Sequence, residues 1–145
     1  LEACAGGHAL VVKALLRHGA SVARASLDGS TPLILASLHG HTEIASLLLQ
    51  SRADLSQARP NGFTALRAAC GNGHASVAEY LLNMRASVLG AEGSAALVSA
   101  CANGHVAVVE RLVDGAGVPA TSKSGDGISA LLQACMAGHH DTAAF

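Results

Sequence analysis

Four cysteines and eight histidines in 145 residues supply enough thiol and imidazole for a disulfide framework or a zinc site. Their spacing argues against both. Cys4, Cys70, Cys101 and Cys135 each stand three residues before the glycine of a Gly-His dipeptide, and Ser37 fills the matching place before Gly40-His41. Equivalent residues in stacked helical units lie about 8–10 Å apart, whereas a disulfide needs Cα atoms within about 7 Å. The thiols are expected as small buried side chains in a seam between units, and unpaired thiols suit a reducing compartment. His8, His41, His74, His105 and His139 form a ladder of the same step, too wide to share a zinc whose bonds to nitrogen are about 2 Å long. A turn-stabilising role is expected for them, with His39 and His140 the only imidazoles beside a rung. His41-Thr42-Glu43 matches the first half of a zinc-deaminase signature, but the Cys-x-x-Cys that must follow is missing. There is no nucleophile elbow, phosphate loop, His-Glu-x-x-His or calcium loop. Glu43, Asp54, Glu79, Glu92 and Asp126 are scattered over different units, so no carboxylate pair is placed for general acid and base work. No catalysis, metal or cofactor is expected.

What positions these residues is a repeat. Gly7-His8, Gly40-His41, Gly73-His74, Gly104-His105 and Gly138-His139 follow one another at steps of 33, 33, 31 and 34, and a period in that range is the mark of a stacked array. A second marker, Gly29, Gly62, Gly93 and Gly127, precedes the last four dipeptides by eleven residues each. In the second copy Asp28-Gly29-Ser30 is turn chemistry, Thr31 can cap a helix and Pro32 suits its first position. Leu33, Leu35 and Ala36 give that helix an apolar side, and Gly40 ends it. After His41 a second helix carries Ile44, Leu47 and Leu48 at helical spacing, with Ala45 and Leu49 widening the stripe. The polar stretch from Arg52 to Gly62 returns the chain to the next helix as a hairpin or loop. Isolated helices this short are marginal in water, so each must bury its stripe against neighbouring units.

Composition agrees. Half of the residues are hydrophobic, yet the only aromatics are Phe63, Tyr80 and Phe145, which suits thin layers of Ala, Leu and Val. A net charge of -1 carries no electrostatic footprint for nucleic acid, and no apolar run approaches the roughly 20 residues of a membrane span. The amino terminus lacks the layout of a signal peptide. Residue 1 falls inside a unit and Phe145 stops another soon after Gly138-His139, so a window from a longer protein is expected, with both ends cut.

Thr31-Pro32-Leu33, Ala36, Gly40-His41, Glu43-Ile44 and Leu48-Leu49 resemble the ankyrin repeat, supported by Leu15-Leu16-Arg17-His18-Gly19-Ala20 in the first copy and Glu79-Tyr80-Leu81-Leu82 in the third. The resemblance spans the chain and implies an all-α, ankyrin-type helix-turn-helix solenoid with hairpin or loop fingers. One domain over 1–145 would hold about five units, near 1–25 (partial), 26–58, 59–89, 90–122 and 123–145 (partial). The histidine of the family's Thr-Pro-Leu-His is replaced by Ile34, Arg67, Val98 and Leu132. The capping hydroxyl becomes Ala95 in the fourth copy, a loss worth about 1 kcal/mol that should make this copy the softest. The exit glycines Gly19 and Gly115 are Arg52 and Arg85 in copies two and three, at a cost of roughly 1–2 kcal/mol if the left-handed backbone is kept.

Units differ at the finger tips and along the inward side of the first helix, where the resemblance puts the usual partner surface. That strip comprises Leu27, Asp28, Ser30, Leu38 and His39, then Asn61, Phe63 and Asn72, then Glu92, Ser94 and Asn103, then Asp126, Ile128 and Met136. Phe63 is either an interface anchor or folded onto the neighbouring finger. Fingers read as uneven, with nine residues from Ala20 to Gly29 and from Ala53 to Gly62, seven from Ala86 to Gly93 and eleven from Ala116 to Gly127. Arg52 and Arg85 are either a small basic pair or two solvated side chains. The expected function is non-catalytic binding of a protein partner by an intracellular, cytoplasmic module, without nucleic acid, membrane insertion or metal. The alternatives are a recruiting or targeting arm of a larger enzyme or channel, and an architectural spacer in a longer array.

Overall fold

A computed structural model describes residues 1–84, 86, 91–123 and 125–144. Its helices are α1 (Glu2–Ala5), α2 (Ala9–Arg17), α3 (Pro32–Leu38), α4 (Thr42–Gln50), α5 (Ala65–Gly71), α6 (Ala75–Asn83), α7 (Ala91–Ala102), α8 (Val106–Glu110), α9 (Ala130–Met136) and α10 (His140–Ala144). Helices α1, α3, α5, α7 and α9 pack in succession into one layer, and α2, α4, α6, α8 and α10 into a second, each pair joined across the layers. Two of the fingers carry a single antiparallel bridge each, Ala58 with Thr64 and Lys123 with Ser129.

Local chemistry sets the helix starts. The Thr31, Thr64 and Ser129 hydroxyls each accept the amide three residues on, at 3.2 Å, and open α3, α5 and α9. Between the layers Leu33, Ile34, Ile44, Leu48, Leu81, Leu97 and Leu112 are fully buried. Ala36, Ala45, Ala68, Ala69, Ala78, Ala96 and Ala100 are buried completely as well, which lets backbones approach closely. Ser37 replaces the seam cysteine at the price of a buried hydroxyl with no partner.

The fourth unit departs from the sequence expectation twice. Gly93 does not open a turn: it is buried inside α7, which starts at Ala91 and runs for 12 residues where α3, α5 and α9 have seven. Ala95 offers no oxygen to cap the amides at the usual start, and extending the helix backwards satisfies them instead. Glu92 and Ser94 consequently sit on a helix and not at a finger tip. At the other end α8 runs into a π-helical turn, Arg111–Gly115, in which the Ala116 amide reaches back to Arg111. The widened turn moves the left-handed exit from Gly115 to Gly117, at φ +70°. Val118 becomes the buried exit residue, its amide bonded to Leu112 O. From Val118 to Gly127 is nine residues, the same as in the first two fingers, so the apparent insertion lies in the helix exit and not in the finger. Arg52 does keep the left-handed backbone, at φ 66°; Arg85 lies outside the described residues, as does Phe145.

Candidate functional site

The histidine ladder is an interlock between units. Nε2 of His41, His74, His105 and His139 lies 3.0, 3.0, 3.2 and 3.1 Å from the carbonyl oxygens of Ala5, Leu38, Gly71 and Ala102, each in the preceding unit. A carbonyl only accepts, so Nε2 carries the proton. The glycine of each dipeptide is the socket for the next ring. A Cβ on Gly7, Gly40, Gly73 or Gly104 would stand 2.6–2.7 Å from the imidazole of His41, His74, His105 or His139. Gly and His thus recur together because one accommodates the following copy of the other. The rings of His39 and His41 also stack, 6.2 Å apart. Among the described residues no group of three His, Cys, Asp or Glu is placed to hold a metal ion.

Cys4, Cys70 and Cys101 are free and buried in the seam, whereas Cys135 is exposed, contrary to expectation. The first three lie on helices packed against the first helix of the next unit, and among the described residues α9 packs on α7 and α10 with no further helix beyond. Burial pushes the Cys70 thiol up to about 12, with the nearby Glu92 carboxylate adding to the effect, and burial raises Cys4 and Cys101 as well.

Along the predicted strip the side chains divide by exposure. Leu27, Asp28, His39, Asn61, Asn72, Asn103, Asp126 and Met136 are exposed, and Leu38, Phe63, Glu92, Ser94 and Ile128 are half-buried. Ser30 is buried, and its hydroxyl donates to Asp28 Oδ2 at 2.8 Å, so it shapes the finger and is not itself a contact surface. Asp28 also accepts from the Ser26 hydroxyl and the Ser30 amide, which hold its carboxyl down at about 2. Asn72 and Asn103 tie down helix ends by donating to Ala68 O at 2.8 Å and Ser99 O at 2.9 Å. Glu92 accepts from the Thr64 hydroxyl of the preceding unit.

Phe63 meets two cations, with the guanidinium of Arg59 4.9 Å and that of Arg67 5.7 Å from its ring centre. Arg59 in turn pairs with Asp28 of the neighbouring finger at 3.4 Å. Neither arginine is among the strip residues expected from sequence. The signal was there: Arg67 alone is charged in the slot of Ile34, Val98 and Leu132.

Among the described residues no helix is long and apolar enough to cross a membrane. No curated protein matches the chain. The family model described as Ankyrin repeats (3 copies) matches residues 1–59 and 51–122. Such repeats are as a class protein–protein interaction modules. With paired helices in two layers, Gly-His interlocks and a match across most of its length, the chain belongs to the ankyrin repeat family.

Proposed function

We propose that residues 1–145 form one array of five units that binds a protein partner, without catalysis, through its finger tips and the exposed side of the α1–α3–α5–α7–α9 layer. The observation that carries this reading is the contrast within that layer. Its buried side repeats Ala, Leu and other apolar residues from unit to unit, while its exposed side and the finger tips show chemically different groups at each unit: Leu27 and His39, Asn61 and Asn72, Asn103, then Asp126 and Met136. A scaffold locked by repeated hydrogen bonds presents these groups with little ordering cost on association. Unpaired thiols support an intracellular, cytoplasmic setting, and the net charge of -1 supports a protein over a nucleic acid as partner. The test is site-specific photo-crosslinking in the source cell, with the crosslinking residue at His39, at Met136 or at Glu110 on the opposite layer. Adducts to one protein from His39 and Met136 but not Glu110 are expected; adducts from Glu110 alone would contradict the reading.

A further inference from the structure

We infer that Arg67, backed by Phe63 and Arg59, is a receptor for a carboxylate side chain on an acidic segment of the partner. The inference rests on the proposed partner surface and names the chemistry it selects. Arg67 occupies a slot that is apolar in every other copy, Ile34 and Val98 being buried there. Arg67 is half-buried there with its Nε shielded from solvent, a costly setting for a donor without an acceptor. Yet its buried Nε–H has no acceptor, and among the described residues no carboxylate lies within ion-pair distance of its guanidinium. The Phe63 ring stabilises the positive charge, but a ring face leaves the in-plane N–H donors of the fork unsatisfied.

The surroundings do not supply the missing anion. Glu92 accepts from the Thr64 hydroxyl and Asp28 pairs with Arg59, and among the described residues neither carboxylate reaches the Arg67 guanidinium. Arg59 carries a buried, unpartnered Nε–H of its own. Two guanidinium groups around one ring thus face a single carboxylate, in a chain whose overall charge is -1. A planar fork with free donors matches a carboxylate bidentately. A Glu or Asp side chain arriving over the strip completes the charge balance and accepts from the terminal N–H groups of the fork.

The experiment titrates the whole chain with acetyl-(Glu)6-amide and with acetyl-(Gln)6-amide, reading the Arg67 Nε–Hε resonance by NMR. The Glu peptide is expected to shift that resonance saturably, with affinity falling as salt rises, and the Gln peptide to leave it in place. Arg67→Met keeps an apolar stem suited to the seam and should weaken Glu-peptide binding about ten-fold or more. Arg67→Lys keeps the charge without the fork and should fall between. Arg24→Gln, an exposed arginine elsewhere, should change nothing. Equal binding by wild type and Arg67→Met, or an equal response to the Gln peptide, overturns the proposal. Should Arg67→Met fail to fold, Arg67→Lys binding as well as wild type overturns the fork. A partner that crosslinks to His39 yet is indifferent to Arg67→Met sinks the carboxylate receptor alone, whereas peptide binding at Arg67 with crosslinks only from Glu110 sinks the strip.

Discussion

Replacing Gly73 by alanine separates the two reasons for glycine in the Gly-His turn. The backbone reason is φ +74°, a left-handed conformation that costs an L-residue about 1–2 kcal/mol, partly offset by about 0.4–1 kcal/mol from a stiffer unfolded chain. The packing reason is the socket: the new Cβ would stand 2.6 Å from His105 Nδ1 and 2.7 Å from Cε1, so the ring must move. Overpacking of this kind costs about 1–3 kcal/mol. Displacing the ring also endangers the 3.2 Å bond from His105 Nε2 to Gly71 O, worth about 0.5–1.5 kcal/mol. Gly62 and Gly138 are internal controls, at φ +75° and +76° with nothing within 4 Å of a Cβ. Gly73→Ala should therefore destabilise by about 2–4 kcal/mol against about 1 kcal/mol or less for either control. In a His105→Ala background its cost should fall to that of the controls, a coupling of about 1–3 kcal/mol. The assay is urea unfolding followed by circular dichroism, with all variants compared at constant m-value. Equal costs at Gly73 and Gly62, or a Gly73→Ala cost unchanged by His105→Ala, would refute the interlock.

Arg52→Gly relieves a left-handed backbone at φ 66° and should stabilise by about 1 kcal/mol, measured by the same unfolding; a loss of stability would show that the Arg52 side chain contributes more than the strain costs. An alkylating reagent at mild alkaline pH should modify exposed Cys135 first and Cys70 only on unfolding, since burial holds the Cys70 thiol at about 12; mass-spectrometric site counting decides it. Asp28 is depressed from 3.8 to about 2, so its contribution to the finger is complete above about pH 4 and disappears as pH falls through 2. Asp28→Asn should accordingly melt below wild type at neutral pH, with the gap closing between pH 4 and 2; a constant gap would show that charge is irrelevant there.

The period of the Gly-His dipeptide makes the helix pairs and three of the four seam cysteines legible from residues alone. Thr31, Thr64 and Ser129 each bring a hydroxyl to a helix start and cap it. The fourth unit departs from its spacing at two glycines, Gly93 and Gly115. Gly93 lies inside α7 once Ala95 removes the cap, and Gly115 yields to Gly117 once the helix exit widens into a π-turn. Both outcomes depend on competition between hydrogen-bonding patterns that differ by little energy, which spacing cannot decide. The interlock was hidden for another reason: His41 and its acceptor Ala5 O are 36 residues apart, and backbone carbonyls leave no trace in side-chain identity. On the strip, exposure of Leu27 and burial of Ser30, one turn apart, reflect how the finger folds over itself through Asp28.

The most direct test of the central claim is affinity capture from the source cell with the full-length protein, quantified by mass spectrometry. One variant carries Leu27→Ser in a finger with His39→Ala and Met136→Ser on the exposed first-helix side; a second carries Glu43→Ala and Glu110→Ala on the other layer. With circular dichroism unchanged in both, a specific protein partner lost only from the first variant is the predicted result. A partner retained by the first variant and lost from the second would contradict the assignment of the finger-tip strip as the binding surface.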